Sequence, residues 1–428
     1  LTSAFRPTAP AGRRARASGA VLVLASVLAI ASLTLFPTEG ESAGPTLCLL
    51  CGDRGLADAV LNVLMFVPLG VGLALAGAGL LGATLLGAAF TLGIELLQAL
   101  IPGRDASVSD LVFNTLGCVL GAALVRSAPA WIDPPPARGR RLLAAGVAAP
   151  LLLLLAAGLM MGPRPSRDTY AGQWTAELGH LQAYRGRVVA AYVGEIPVPS
   201  WQMPAESERL RALVEEGAPV RVAAVAGPPV SGLAPIFSIY DDEFREILLL
   251  GTDGEDAVFQ FRTLGMALGM DRPGLRLPGA FRGIPEGAPL RMGVVRRGGG
   301  YCMAVNATSS CSVGYTVADT WGVFLALFSL KWRGRGLLGL GWLAALFVPA
   351  GWWLRTRRGA LAAGGGAAAG LLLLPWAAGL LPTPPAQLLA ALAGMGAGVL
   401  ARRAAAVMGT VGPAPVPHGS NSPESRVM

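Results

Sequence analysis

The sequence predicts an α-helical membrane bundle of about eight transmembrane helices, with an extracytoplasmic all-β sandwich inserted between the fifth and the sixth. Three observations carry this prediction. The chain has 428 residues, 53% of them hydrophobic and only 14% charged, against roughly 25% charged in soluble proteins. The apolar residues gather into runs near 20 residues long, enough to cross a hydrocarbon core about 30 Å thick. The acidic residues gather as well: 17 of 26 lie in the segment 163–330. Disorder of the bulk of the chain is excluded, because it requires low hydrophobicity and high charge.

The first apolar run, 19–36, follows Arg13, Arg14 and Arg16. A basic stretch before an apolar run also fits a secretory signal. The length of the run and the lack of a small-x-small cleavage site favour a retained helix. Leu1 at the start leaves an alternative start codon or a trimmed end open. The next runs are 56–77, 79–101, 108–125 and 142–161, and after the polar segment come 336–354, 360–381 and 385–401. The tail from Gly412 bears Pro and Ser and is expected to be unstructured.

Orientation follows from arginine in the short loops. Arg13, Arg14 and Arg16, then Arg138, Arg140 and Arg141, then Arg355, Arg357 and Arg358, and finally Arg402 and Arg403 all fall on the cytoplasmic side of an eight-span chain. Lys331, Arg333 and Arg335 are the exception. The predicted organisation is a cytoplasmic N-terminus (1–18), a first bundle (19–130), a fifth helix (142–162), the β domain outside the cytoplasm (163–330), three closing helices (336–401) and a cytoplasmic tail (402–428). The net charge of +8 rests on 33 arginines and a single lysine. These sit beside apolar runs, so they read as topology signals and not as a nucleic-acid surface. The richness in Arg, Ala, Gly and Pro points to a GC-rich bacterial genome, hence a plasma-membrane location.

Within the polar segment, short β-prone runs at 220–225, 235–240, 246–250, 257–261, 292–295, 301–305 and 322–327 are separated by turns such as Gly251 to Gly254. This spacing predicts a sandwich. The run 321–330 is read as a strand and not as a ninth span. Cys302 and Cys311 lie in this segment and are expected to form a disulfide, as an oxidising compartment allows. Cys48 and Cys51 fit a local disulfide, two idle thiols or half of a redox or metal site. Cys118 reads as packing. His180 and His418 are too far apart in sequence to suggest a zinc site, and no metal or cofactor is expected in the bundle.

Polar residues inside a span are costly and ask for a partner or a task. Asp58 and Asn62 open the second run, Glu95 and Gln98 close the third, and Asp110 and Asn114 open the fourth, with Arg104 in between. The spacings i,i+4 and i,i+3 put each pair on one helix face. The orientation puts all three pairs in the outer half of the membrane. Asp58 and Asn62 share a seven-residue pattern with Asp110 and Asn114, which hints at a short internal duplication. Two readings stand at this point. The groups satisfy one another as helix glue, at about 0.6 kcal/mol per contact. Or they line an outward polar pocket, with Arg104 set to take a phosphate or carboxylate and Glu95 or Asp110 as acid or base.

The blocks Asn62-Val-Leu-Met-Phe-Val-Pro68-Leu-Gly70, Glu95-Leu-Leu-Gln98, Pro102-Gly-Arg104 and Ser109-Asp110-Leu-Val-Phe-Asn114-Thr-Leu-Gly117 closely resemble the VanZ-like family, in order and spacing, across 57–123. That resemblance implies a bacterial membrane protein of the kind tied to glycopeptide (teicoplanin) resistance, a family without a defined reaction. In the polar segment, Pro235-Ile-Phe-Ser-Ile-Tyr240, Arg245-Glu-Ile-Leu-Leu-Leu-Gly251 and Asp253-Gly-Glu-Asp-Ala-Val-Phe-Gln-Phe-Arg262 resemble a laminin-G or concanavalin A-like jelly roll. Such domains bind glycans or proteins, sometimes through calcium. Asp241, Asp242, Asp253 and Asp256 are the oxygen ligands that this resemblance would offer, or else solvated turn residues. Three functions follow: binding or protection of an anionic lipid-linked envelope component, acid–base catalysis on such a lipid by Glu95 or Asp110, or a structural and adhesive role.

Overall fold

A computed structural model describes residues 12–37, 49–50, 52–104, 106–176, 181–201, 206–272, 274–325 and 332–407, the side chains of Trp332 and Arg333 apart. Cys48, Cys51, Asp105, His180, Lys331, His418 and the tail from Gly412 lie outside the described residues.

The helices are α1 (Arg13–Thr34), α2 (Gly55–Ala76), α3 (Leu80–Gln98), α4 (Val108–Arg126), the short α5 (Ala128–Trp131), α6 (Pro136–Met160), α7 (Ser207–Glu216), α8 (Leu264–Ala267), α9 (Trp332–Trp353), α10 (Arg357–Ala378) and α11 (Pro385–Val407). All except α5, α7 and α8 are long and apolar enough to cross a membrane, eight among the described residues. Sequence chemistry sets their ends. The Ser107 hydroxyl accepts from Ser109 N and caps α4, and Thr356 does the same for α10. Gly77, at φ 109°, ends α2 in a left-handed turn that lets α3 start almost at once.

The intervening β region holds β1 (Tyr170–Trp174), β2 (Arg187–Val193), β3 (Ile196–Pro197), β4 (Val220–Val225), β5 (Leu233–Asp241), β6 (Glu246–Asp253), β7 (Asp256–Phe261), β8 (Leu275–Leu277), β9 (Pro289–Arg297), β10 (Gly300–Val305) and β11 (Thr308–Val313). They form two antiparallel sheets, ordered β1-β5-β6-β7-β8 and β11-β10-β9-β4-β2-β3. Phe237, Ile239, Leu248 and Phe259 of the first sheet and Val222, Met292, Val294 and Met303 of the second share one buried core. Cys302 and Cys311 join β10 to β11 in a disulfide.

Runs of consecutive neighbours, β5 to β8 and β9 to β11, are meanders. Two expectations change here. The ladder from β6 to β7 extends to Asp253 and Asp256, so the turn is tighter than Gly251 to Gly254. The stretch expected as a strand from Trp321 or Gly322 instead belongs to a 3-10 helix, Val317–Val323, whose capping box joins Thr316 and Asp319; residues 326–330 lie outside the described residues.

The two ends of the bundle differ. At one end the β region docks: the Gly269 carbonyl accepts from Leu56 N (2.9 Å) and Ala57 N (3.0 Å) of α2, and Leu381 N donates to Tyr315 O at 2.8 Å. At the other, Asp133 pairs with Arg355 (3.0 Å) and Arg402 (3.5 Å). There the indoles of Trp352 and Trp353 donate to the carbonyls of Ile132 and Trp131.

A recurrence ties the first helices to the last. Phe66-Val67-Pro68-Leu69-Gly70 of α2 returns as Phe347-Val348-Pro349-Ala350-Gly351 of α9. A Cβ on Gly70, Gly117 or Gly121 would collide with the carbonyls of Cys118, Val63 and Val67; one on Gly351, Gly394 or Gly398 would collide with those of Met395, Ala344 and Val348. The pairs α2–α4 and α9–α11 therefore run parallel, pack backbone to backbone through small residues, and do so in the same register. In that register Asp58 corresponds to Gly339, Asn62 to Leu343, Asp110 to Gln387 and Asn114 to Ala391.

Candidate functional site

The polar residues converge where α1 and α3 end and where α2 and α4 begin. Thr91, Glu95 and Gln98 fall at i, i+4 and i+7 on one face of α3 and are buried, with Glu95 and Gln98 each 6% exposed. Asn114 faces them from α4, and its amide donates to the Thr91 hydroxyl at 2.8 Å. Glu95 Oε2 accepts from Ser107 N at 2.6 Å. Ser107 is the N-cap of α4, so the carboxylate sits where free N–H groups and the helix dipole favour negative charge. Across α2 and α4, Asn62 Nδ2 donates to Asp110 Oδ1 at 2.8 Å. Gln98 Nε2 donates to Thr34 O of α1 at 3.0 Å.

Two predicted members point elsewhere. Arg104 donates from Nε to Phe36 O (2.9 Å) and from Nη2 to Leu33 O (3.3 Å), holding carbonyls at the C-terminal end of α1, where positive charge is favoured. Asp58 is exposed and pairs with Arg54 at 3.6 Å, and Arg54 also reaches Asp271 of the β region at 3.1 Å.

Sequence inspection missed Thr91, Ser107 and Arg54, and placed Ser109 only within the VanZ-like block. Ser107 was findable, because a Ser three residues before an Asp ahead of an apolar run is a helix-start signal. Thr91 shows only as a helical step back from Glu95. The Ser109 hydroxyl donates to Leu49 O at 2.8 Å, a contact between distant segments with no local signal.

What the site lacks is donors. Glu95 Oε1, Gln98 Oε1 and Asn114 Oδ1 are buried with no hydrogen-bond partner among the described residues. Three acceptors are open in one small region, and a group bearing hydroxyls or N–H would complete them.

The acidic residues of the β region are arranged differently. Arg245 meets Asp168 (2.5 Å), Asp241 (2.8 Å) and Glu243 (2.6 Å), and Arg276 binds Asp253 and lies 3.5 Å from Asp256. Burial opposes the charge of Asp241, but hydrogen bonds from the guanidinium and N–H of Arg245 outweigh it and hold the carboxyl below its ordinary value. Asp241, Asp253 and Asp256 thus face arginines, and Asp242 is exposed.

With this geometry in place, one comparison decides the kinship of the first bundle. Residues 16–129 match the VanZ/LLP1 family model. The VanZ-like part therefore comprises α1 to α4 and contains Asp58, Asn62, Glu95, Gln98, Arg104, Asp110 and Asn114. No curated protein and no solved structure matches the chain.

Proposed function

We propose that this is a bacterial cell-envelope membrane protein whose VanZ-like part binds the polar headgroup of a lipid-linked envelope component. The β region would lie outside the cytoplasm as a glycan- or protein-binding module. The observation that carries the binding reading is the trio of unpartnered acceptors on Glu95, Gln98 and Asn114. Each costs about 1–3 kcal/mol if nothing pairs it. Glue would have closed those bonds; a ligand site leaves them for hydroxyl or amide donors. Arg104, engaged by α1, makes donor groups a better match to the site than an anion.

The second half of the bundle supports this reading. At the position of Asp58 it has Gly339, packed against Ala318. At the position of Asp110 it has Gln387, whose Oε1 accepts from Ala318 N (3.2 Å) and whose Nε2 donates to Thr316 Oγ1 (2.7 Å). There the chain's own 3-10 segment supplies an N–H donor to the helix ends. The outside placement is supported by the arginines gathered at the end opposite the β region, and Trp201, 72% exposed, offers a ring for glycan contact.

The test is the lipid that stays with the purified protein, read by mass spectrometry. Wild type should retain a hydroxyl- or amide-bearing lipid-linked species, depleted at least tenfold in Gln98→Leu and Asn114→Leu while the fold persists. An identical lipid complement in all three overturns the reading. Chemical turnover of that species, lost in Glu95→Gln, would convert it into the enzymatic one. Labelling of Asp242→Cys by an impermeant thiol reagent in intact cells tests the orientation; labelling only after lysis overturns it.

A further inference from the structure

At the opposite flank of the β region, a cavity of about 230 Å³ opens between β8, the end of β11 and the first turns of α9. These two strands are the terminal members of their sheets, so the cavity sits in the open edge of the sandwich, where α9 leaves for the bilayer. Arg335 lines it and is only 9% exposed. Its guanidinium makes no ion pair or hydrogen bond among the described residues, nor is it among those with a further contact.

An arginine stays protonated, and a buried charge is normally paired. The one carboxylate on the wall, Asp319, lies near enough to attract Arg335 but forms no salt bridge with it among the described residues. Asp319 Oδ2 accepts from Thr316 N (2.7 Å) and Thr316 Oγ1 (2.6 Å) in the capping box. Arg276 is held by Asp253 and Asp256. Ser310 and Ser312 add hydroxyls, 3.0 Å apart, on the wall of the cavity. Among the side chains on the cavity wall two are cationic and one is anionic. Arg335 is also one of the basic residues that the topology rule leaves on the wrong side. A specific anionic partner accounts for its position.

We infer that this cavity is a phosphate-binding site, in which Arg335 takes two phosphate oxygens through its planar fork and the two serine hydroxyls donate to the remainder. The volume suits one phosphate with a small headgroup and is below that of ordinary drug-sized ligand pockets, about 300–1,000 Å³. Its place at the start of a membrane-crossing helix matches the headgroup layer. The phosphate comes from an anionic phospholipid or from solution. With a phospholipid bound, the site would fasten the edge of the sandwich to the membrane surface. It shares no residue with the VanZ-like acceptor cluster and stands or falls separately from it.

The test uses the full chain, delipidated in detergent, with phosphatidylglycerol and inorganic phosphate as probes and native mass spectrometry as the readout. Wild type should bind one phosphatidylglycerol, weakened at least tenfold in Arg335→Gln and unchanged in Arg209→Gln, a surface control. Competition by millimolar inorganic phosphate supports the same pocket; one-to-one phosphate binding without lipid binding assigns the site to the free ion. If Arg335→Gln does not fold, Ser312→Glu, which puts a negative charge on the exposed wall, should abolish binding in a folded protein. Equal binding by wild type and the folded variant, or binding of neither probe by wild type, overturns the proposal.

Discussion

The helix pairs α2–α4 and α9–α11 are packed alike and finished differently. Both bring backbones together at matched glycines, and both carry the same Phe-Val-Pro-x-Gly turn of helix. In the first pair the layer above the glycines holds Asn62, Asp110 and Asn114. In the second it holds Leu343, Gln387 and Ala391, closed over by residues 316–318. The contact that makes a stable pair is thus separable from the chemistry at its end. Both copies dock the β region, the second through Gln387 and the first through Leu56 and Ala57; only the first, together with α3, keeps three buried oxygens open at a cost to its own stability.

The largest effect should come from the shared contact. Gly117→Leu and Gly394→Leu each drive a side chain into a backbone carbonyl, and overpacking of this kind costs about 3 kcal/mol. Similar losses in thermal unfolding in detergent would uphold the equivalence, and a harmless Gly394→Leu would break it. In the β region Asp241 is the paired counterpart of the open oxygens. Asp241→Ala removes bonds accepted from Glu243 N, Arg245 N and Arg245 Nε, at about 2 kcal/mol. Because the folded carboxyl is depressed, its stabilisation is complete above the unfolded value of about 3.9 and is lost as pH falls through the folded value. Acid unfolding followed by circular dichroism should show that loss in wild type and a smaller one in the variant.

The ends of the pairs should then respond in opposite ways. Gln387→Leu strands Ala318 N–H and Thr316 and should cost about 1.5 kcal/mol. Asn114→Leu removes one made bond along with one unmade one and should change stability by less than about 1 kcal/mol, while lipid retention falls. A large loss in Asn114→Leu would return the cluster to glue. The smallest effect belongs to Arg104→Ala, about 0.5 kcal/mol from the loss of its exposed α1 contacts. A specific loss of ligand with no change in melting would instead restore Arg104 to the site.

Much of this architecture was legible because its signals are local. A run of 20 apolar residues declares a span wherever it lies, and Glu95, Gln98 and Asn114 stand out against such a background. The destination of Arg104 was not legible, since the carbonyls it holds lie about 70 residues earlier in the chain. Strand β11 was missed because Thr308-Ser-Ser-Cys-Ser is an exposed edge with little apolar alternation. The 3-10 segment was read as a strand because its bulky residues are buried against helices, and burial alone does not reveal the period. The recurrence across the two pairs escaped notice because only five positions keep a recognisable string, while the equivalence resides in which carbonyl each glycine faces.

The Gly269 carbonyl above α2 gives the molecule a built-in reporter. The first amides of a helix have no acceptor within it, and those of Leu56 and Ala57 are closed only by the β region. Their protection against hydrogen–deuterium exchange therefore measures one event, the lifting of the sandwich from the bundle. That event uncaps the helix that carries Asn62. Exchange at two backbone positions would time how often the outer domain leaves the lip of the VanZ-like site, and whether an occupant of that site slows it.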